Sequence, residues 1–212
     1  MKRGTRPKGK VKILWSPQFA YAIGLIASDG CLSPNGRHIV FVSEDTEQLI
    51  NFMRALNITV AQRKNSNRVQ FSDVLFYRFL LTTGLMPNKS KILAQLNIPT
   101  EYFFDFLRGS FDGDGSFYSY WDPRWKSSFM FYTTFVSASK AHILWIQEQI
   151  FKRLKIRGHI TKDGRGITYQ LKYAKADSLK LLGRMYYPGA QYWLSRKRLK
   201  IERALGRVGL SL

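Results

Sequence analysis

Two aspartates of this chain stand at the same place in two copies of one short motif. Residues 22–30 and 107–115 are both rich in small and apolar residues, and both finish in an Asp-Gly pair that supplies Asp29 and Asp114. A single Asp-Gly pair commonly does no more than end a helix and turn the chain. Its repetition in one strongly basic chain suggests two copies of one unit, each delivering a carboxylate to a shared place.

Two neighbouring carboxylates would bind a divalent cation. If the helices before Asp29 and Asp114 pack in parallel, both side chains lie at the negative ends of helix dipoles, where they repel unless protons or a cation neutralise them. Hard oxygen ligands suit Mg²⁺, which keeps several waters and bridges to phosphate. The backbone carbonyls of Ser28 and Gly113 are natural further ligands. Such a site could activate a water for phosphodiester hydrolysis.

The helices that precede the two acids each carry a face made mainly of small residues. Ser16, followed by a proline, predicts the start of the first helix. Small residues on facing helices let two backbones approach closely, and Gly30 and Gly115 stand where a helix end favours positive φ. The small faces consist of Ala20, Gly24 and Ser28 in the first copy and Phe106, Gly109 and Gly113 in the second.

The chain after each motif changes to short β-type runs with a helix between two hairpins. Strands are expected at 31–33, 37–43, 59–64 and 68–72, and again at 116–121, 129–137, 159–162 and 167–173. Helices are expected at 46–56, 74–84, 141–154 and 176–185. The order predicts an α/β (α+β) fold of two matching αββαββα repeats, 16–97 and 98–212, after a basic arm at 1–15.

The charge of the chain favours a polyanionic partner. Lys and Arg total 34 against 14 acidic residues, which gives a net charge of +20. An excess of cations favours binding to a phosphate backbone, because binding releases the counterions of the phosphates. An enzyme that acts on small molecules rarely needs such an excess. A solvated basic surface or a ribosome-associated protein remains the alternative. For the arm at 1–15, contact with phosphates and a disordered tail are equally open.

The location that the sequence predicts is intracellular, in a bacterial or archaeal cytoplasm or an organelle matrix. The single cysteine, Cys31, fits a reducing compartment. No apolar run approaches the ~20 residues of a membrane span, and the basic start lacks the apolar segment of a signal peptide. We therefore expect no membrane partner.

The two motifs resemble the LAGLIDADG motif of homing endonucleases, in the single-chain form that carries two motifs. The resemblance extends roughly over 16–204 and is stronger in the second copy; the first has Ala27 where the family usually has its earlier acid. It implies a pseudo-symmetric saddle with the motif helices at the centre and an antiparallel four-stranded sheet from each half on the DNA. It further implies a staggered double-strand break made with Mg²⁺ or Mn²⁺, while Ca²⁺ is expected to support binding without cleavage.

The resemblance also implies a lysine close to the active site in each half. Lys89 and Lys197 match these positions and are expected to assist catalysis electrostatically. Either could instead be one more phosphate contact. The glutamine that often follows the second strand in the family is altered here, because Glu44 and Ala138 stand nearest to its positions.

The polar residues of the expected strands are candidates for contact with DNA, either at base edges or at phosphates and sugars. Since the two sets differ greatly, we expect a long, non-palindromic double-stranded target that one chain cuts as a monomer. A solvated strand face is the alternative for each residue. The candidates are Arg37, Gln62, Lys64, Arg68 and Gln70 in the first half and Ser116, Tyr118, Tyr120, Arg124, Lys126, His159, Thr161, Lys162, Thr168, Gln170 and Lys172 in the second.

The sequence leaves two other functions open on the same scaffold. One is a maturase, which would bind its host intron RNA and assist splicing, and one protein could do both. The other is a non-catalytic DNA-binding regulator, although such a protein would be expected to lose the paired acids. Both Asp29 and Asp114 are present.

Overall fold

The computed structural model describes residues 9–61, 66–125, 127–164 and 166–212. Within these ranges none of the helices is long and apolar enough to cross a membrane. The first half comprises α1 (Pro17–Asp29), β1 (Gly30–Leu32), β2 (His38–Val42), α2 (Thr46–Ala55), β3 (Arg68–Ser72) and α3 (Val74–Thr82), followed by 3-10 turns at Lys89–Lys91 and Thr100–Tyr102. The second comprises α4 (Phe103–Asp114), β4 (Ser116–Trp121), β5 (Phe129–Ser137), α5 (Lys140–Leu154), β6 (His159–Lys162), β7 (Tyr169–Tyr173), α6 (Lys175–Met185) and α7 (Ser195–Gly206).

Each half contributes one antiparallel sheet, with strand orders β1-β2-β3 and β4-β5-β7-β6. The α/β fold with two antiparallel sheets is confirmed. The expected fourth strand of the first sheet is absent at 59–61, and 62–65 lie outside the described residues. After α2 the chain turns through Asn57 at φ 50°, and the Ile58 N–H donates to the Met53 carbonyl. Thr59 and Ala61 are then exposed, while Ile58 and Val60 pack partly against the core without joining the sheet.

Helices cover one face of each sheet and leave the other face open. Phe41 of β2 stacks on Phe52 of α2 with 4.5 Å between ring centroids, and Phe111 of α4 packs edge-on against Phe135 of β5 at 5.9 Å. These rings are fully buried. Burial alternates along β3 and over the first residues of β4, so every second side chain there points away from the core.

The helices α1 and α4 pack in parallel at the centre through their small faces. A Cβ placed on Gly24 would lie 2.7 Å from the Ser110 nitrogen and against the Phe106 carbonyl oxygen. A Cβ on Gly109 would lie 3.1 Å from the Leu25 nitrogen and against the Tyr21 carbonyl oxygen. Glycine at these two positions is therefore required by space. The expected close approach of two backbones is confirmed.

The glycine after each motif helix is required for a different reason from the one that the sequence predicts. Gly30 has φ −82° and Gly115 has φ −73°, both in extended conformations and not at positive φ. A Cβ on Gly30 would lie 2.6 Å from the Ile26 Cα, and one on Gly115 would lie 2.6 Å from the Phe111 carbonyl oxygen. Because the chain leaves each helix directly into a strand that folds back along it, there is no room for a side chain.

Candidate active site at the ends of the paired helices

The parallel packing of α1 and α4 brings the two motif aspartates together. Both helices end at their aspartate, with Asp29 last in α1 and Asp114 last in α4. The helix ends are in contact, since a Cβ on Gly113 would lie 2.7 Å from Asp29 Oδ2 and 2.6 Å from the Ser28 Cβ. The geometry on which a shared carboxylate site depends is therefore present in the fold.

The environment of the two acids disfavours their charged forms. Burial raises the pKa of Asp29 to about 6, and the neighbouring charge of Asp114 adds to the rise. The Asp114 side chain reaches the surface, but protein atoms displace part of the water around its carboxylate. This partial desolvation raises the pKa of Asp114 as well. Lys89 and Lys197 oppose both shifts. A cation between the carboxylates would relieve this repulsion.

A buried lysine closes the C-terminal end of each motif helix. The Lys89 ammonium donates to the carbonyl of Ser28 in the last turn of α1 at 3.2 Å and to that of Gly30 just after the helix at 2.6 Å. Ammonium groups here oppose the negative ends of the helix dipoles. Burial lowers the pKa of Lys89 and lowers that of Lys197 to about 8. The Lys197 ammonium lies within hydrogen-bonding distance of four carbonyl oxygens at the end of α4: Phe111 (2.7 Å), Asp112 (2.8 Å), Gly113 (3.0 Å) and Gly115 (2.6 Å).

The oxygen atoms at this place fit a magnesium ion. Within the described residues there is no group of three or more His, Cys, Asp and Glu side chains that could hold a metal. Two carboxylates and waters nevertheless match the preference of Mg²⁺, which keeps much of its hydration shell. The carbonyls of Ser28 and Gly113, expected as further ligands, already accept from Lys89 and Lys197. The carboxylates are therefore the strongest ligands that the site offers.

Asp112 connects the motif helices to the segment that carries Lys197. Its carboxylate is fully buried and accepts from the Tyr21 hydroxyl and from the Leu194 backbone N–H, both at 2.8 Å. Burial raises its pKa to about 6. Sequence analysis did not assign a role to Asp112, because its partners Tyr21 and Leu194 are both distant in sequence.

The helix α7 is held in place by the first half of the molecule. The Glu47 carboxylate of α2 accepts from the Ser195 backbone N–H at 2.9 Å and from its hydroxyl, at the first turn of α7. Asp45 pairs with Arg196 at 2.7 Å, and its pKa is lowered, chiefly by the hydrogen bonds from this guanidinium. Sequence analysis missed α7 as a helix. Glu47 and Asp45 of the first half therefore hold the start of α7, and this positions Lys197 beside Asp114 of the second half.

The open face of the second sheet collects most of the candidate DNA contacts of that half. Strand pairing aligns Ser116 with Thr134, Thr134 with Lys172, and Lys172 with His159 in one row across the sheet. Gln170 and Thr161 pair in the next row, and Thr168 precedes β7 with the same alternation. Tyr118 and Tyr120 stack with Tyr132, a ring that sequence analysis did not select.

Three other candidates of this half lie elsewhere. Lys162 alternates to the opposite face of the sheet, where its ammonium lies 5.4 Å from the Tyr169 ring centroid. Arg124 lies in the β4–β5 turn and pairs with Asp122 at 3.3 Å. Lys126 lies outside the described residues.

The first sheet presents a smaller set. Arg68 and Gln70 are exposed on the open face of β3, opposite Val42 and Val40 of β2. Arg37 is exposed in the turn before β2. Gln62 and Lys64 lie outside the described residues. The open faces of the two sheets therefore carry different side chains.

No family model and no curated protein matches this sequence. Solved structures share its fold at low identity. The meganuclease I-SmaMI bound to uncleavable DNA is 14% identical, with a TM-score of 0.58 over 92% of this chain and 93% of that one. I-DmoI in complex with DNA and Ca is 14% identical, with a TM-score of 0.57 over 88% and 97%.

A third structure with this fold is full-length DUF199/WhiA from Thermatoga maritima. It is 18% identical, with a TM-score of 0.55 over 94% of this chain. This chain spans 63% of that protein, and an N-terminal LAGLIDADG domain of DUF199/WhiA matches as well. The chain therefore has the fold of LAGLIDADG structures, among them homing endonucleases.

Proposed function

We propose that this protein is a divalent-metal-dependent DNA endonuclease that makes a staggered double-strand break in a long, non-palindromic site. In this proposal residues 16–97 and 98–212 are two LAGLIDADG repeats of one monomeric chain. The observation that carries the proposal is the meeting of Asp29 and Asp114 at the ends of the paired helices, each beside a buried lysine.

The four charged side chains would divide the work at the phosphodiester. Asp29 and Asp114 would hold Mg²⁺, or Mn²⁺ in its place, while Lys89 and Lys197 offset the negative charge that accumulates there. The bound ion would supply Lewis-acid stabilisation of charge on phosphate oxygens and a source of activated water. Neighbouring structures of I-DmoI are in complex with DNA and Ca or Mn, and one is in the presence of Mg.

Double-stranded DNA would lie across the two open sheet faces. These faces present different polar residues, such as Arg68 and Gln70 in one half and Lys172 and His159 in the other. Side chains of these kinds read base edges or contact phosphates. A target without two-fold symmetry follows from the difference between the faces.

The test is a cleavage selection from a randomised duplex library with Mg²⁺, with Ca²⁺ as a condition for binding alone. We expect a single selected site to be cut on both strands. Asp29→Asn and Asp114→Asn are expected to slow cleavage at least about 100-fold while the affinity for that site stays within a few-fold. Normal cutting by either variant would remove the basis of the proposal.

A non-catalytic DNA-binding function is the second candidate. It is favoured by the carbonyls of Ser28 and Gly113, which are engaged by lysines, and by the fold likeness to a DUF199/WhiA domain whose name does not describe a nuclease. Under it, the library would yield a bound sequence that is never cut with any divalent ion. A role in splicing through intron RNA stays a prediction of the sequence.

A further inference from the structure

A groove outside the candidate active site carries a row of cations. It lies between α7 and the edge strand β4 and has a volume of about 510 Å³. The charged residues that line the groove recur every three or four positions along α7 and just past its end, so their side chains share one helix face. The lining consists of Arg196, Lys200, Arg203 and Arg207 together with Ser119, Leu199 and Ala204.

Most of these charges lack a partner within the described part of the chain. Arg196 pairs with Asp45, whereas Lys200, Arg203 and Arg207 make no ion pair there. All four side chains are exposed. Like charges at this spacing repel, and from 196 to 207 the row extends over ~16 Å at the rise of a helix. A chain of phosphates would relieve the repulsion along the whole row.

An exposed tryptophan stands at the far end of the groove. The Arg207 guanidinium lies 5.5 Å from the Phe129 ring centroid, and the Trp121 ring packs on the same phenylalanine at 5.0 Å. Trp121 is 49% exposed and shares its side of β4 with Ser119 of the groove. An exposed indole that shares a phenylalanine contact with a guanidinium is a surface on which a flat ring can stack.

We propose that the groove between α7 and β4 binds a single strand of nucleic acid. Its phosphates would lie along Lys200, Arg203 and Arg207, and an unpaired base would stack on Trp121. Cationic grooves with aromatic platforms suit single strands, because the bases of a duplex are already paired and stacked on each other. Tyr118 and Tyr120 alternate to the opposite side of β4, so this surface is separate from the open sheet face. The inference does not depend on cleavage.

The experiment measures binding of fluorescein-labelled homopolymers of about twelve nucleotides, oligouridylate and oligothymidylate, by fluorescence anisotropy across a salt series. Removing two phosphate contacts with Lys200→Gln/Arg203→Gln should weaken binding about tenfold at low salt and lower the salt slope by about 1.4. The matched control is Lys180→Gln/Arg184→Gln on α6, which removes the same charge from exposed positions and should keep the wild-type affinity and slope.

Trp121→Ala should weaken binding about tenfold with an unchanged salt slope, since it removes stacking and no charge. Binding of either homopolymer that the groove variant weakens and the control variant leaves unchanged supports the proposal. Equal binding by the groove and control variants would overturn the proposal. The proposal would also be overturned if the groove variant lost as much affinity for a labelled duplex of the same length as for the single strands, because the groove would then bind phosphates of any form.

Discussion

A methyl group at the centre of the molecule tests the helix pairing on which the carboxylate site depends. In Gly109→Ala the new Cβ would lie 3.0 Å from the Tyr21 carbonyl carbon and 3.1 Å from the Leu25 nitrogen, and still closer to the Tyr21 oxygen. All three are backbone atoms of α1, which no side-chain rotation can move. The two helices must therefore move apart, and this movement weakens the buried contacts along their length.

The size of the effect follows from two opposing contributions. Overpacking a rigid contact costs about 3 kcal/mol, the upper part of the usual range. Alanine favours a helix over glycine by about 0.8 kcal/mol. The net loss for Gly109→Ala is about 2 kcal/mol of unfolding free energy, which lowers the melting temperature by about 4–8 °C in a chain of this size.

Gly183→Ala on α6 is the matched control. It is the same substitution inside a helix, but an added Cβ meets no atom within 4 Å among the described residues. This variant should gain about 0.5–1 kcal/mol. Urea unfolding followed by circular dichroism measures both, and we expect the two variants to differ by about 3 kcal/mol. If Gly109→Ala is as stable as Gly183→Ala, the close contact between α1 and α4 is wrong.

Three further predictions concern the charged groups. Because the pKa of Asp29 is raised to about 6, the folded state favours its neutral form, and the stability that this provides is lost as pH rises from about 4 through 6. In urea unfolding, Asp29→Asn should therefore be about 1–2 kcal/mol more stable than wild type at pH 7.5 and equally stable at about pH 3. A loss of stability at pH 7.5 would contradict the reasoning. Lys197→Met leaves the carbonyls at the end of α4 without their donor and should cost about 1–3 kcal/mol in the same assay, whereas the exposed Lys200→Met should stay within about 0.5 kcal/mol. Glu47→Ala removes the acceptor at the first turn of α7 and should lower the free energy of unfolding by about 1 kcal/mol. It should also slow any metal-dependent cutting of DNA, because Lys197 would be misplaced. An unchanged cutting rate would refute the connection between Glu47 and the position of Lys197.

The local pattern of the chain predicts most of its elements. Ser16 accepts from the Phe19 N–H as the N-cap of α1, and β5 has the predicted bounds, Phe129–Ser137. Local rules are sufficient here because caps and alternation act between residues close in sequence. They failed at 59–61, where the expected strand does not form, and at Gly30 and Gly115, where crowding by the preceding helix and not positive φ requires glycine.

The sequence by itself determined the repeated motif, the small faces of two helices and the excess of positive charge. Only the tertiary structure decided that Asp29 lies beside Asp114, that Lys197 closes the end of α4, and that Glu47 of the other half holds the start of α7. The reason is physical: each of these contacts joins residues far apart in the chain, so its existence depends on how whole helices pack and not on any local preference of the residues involved.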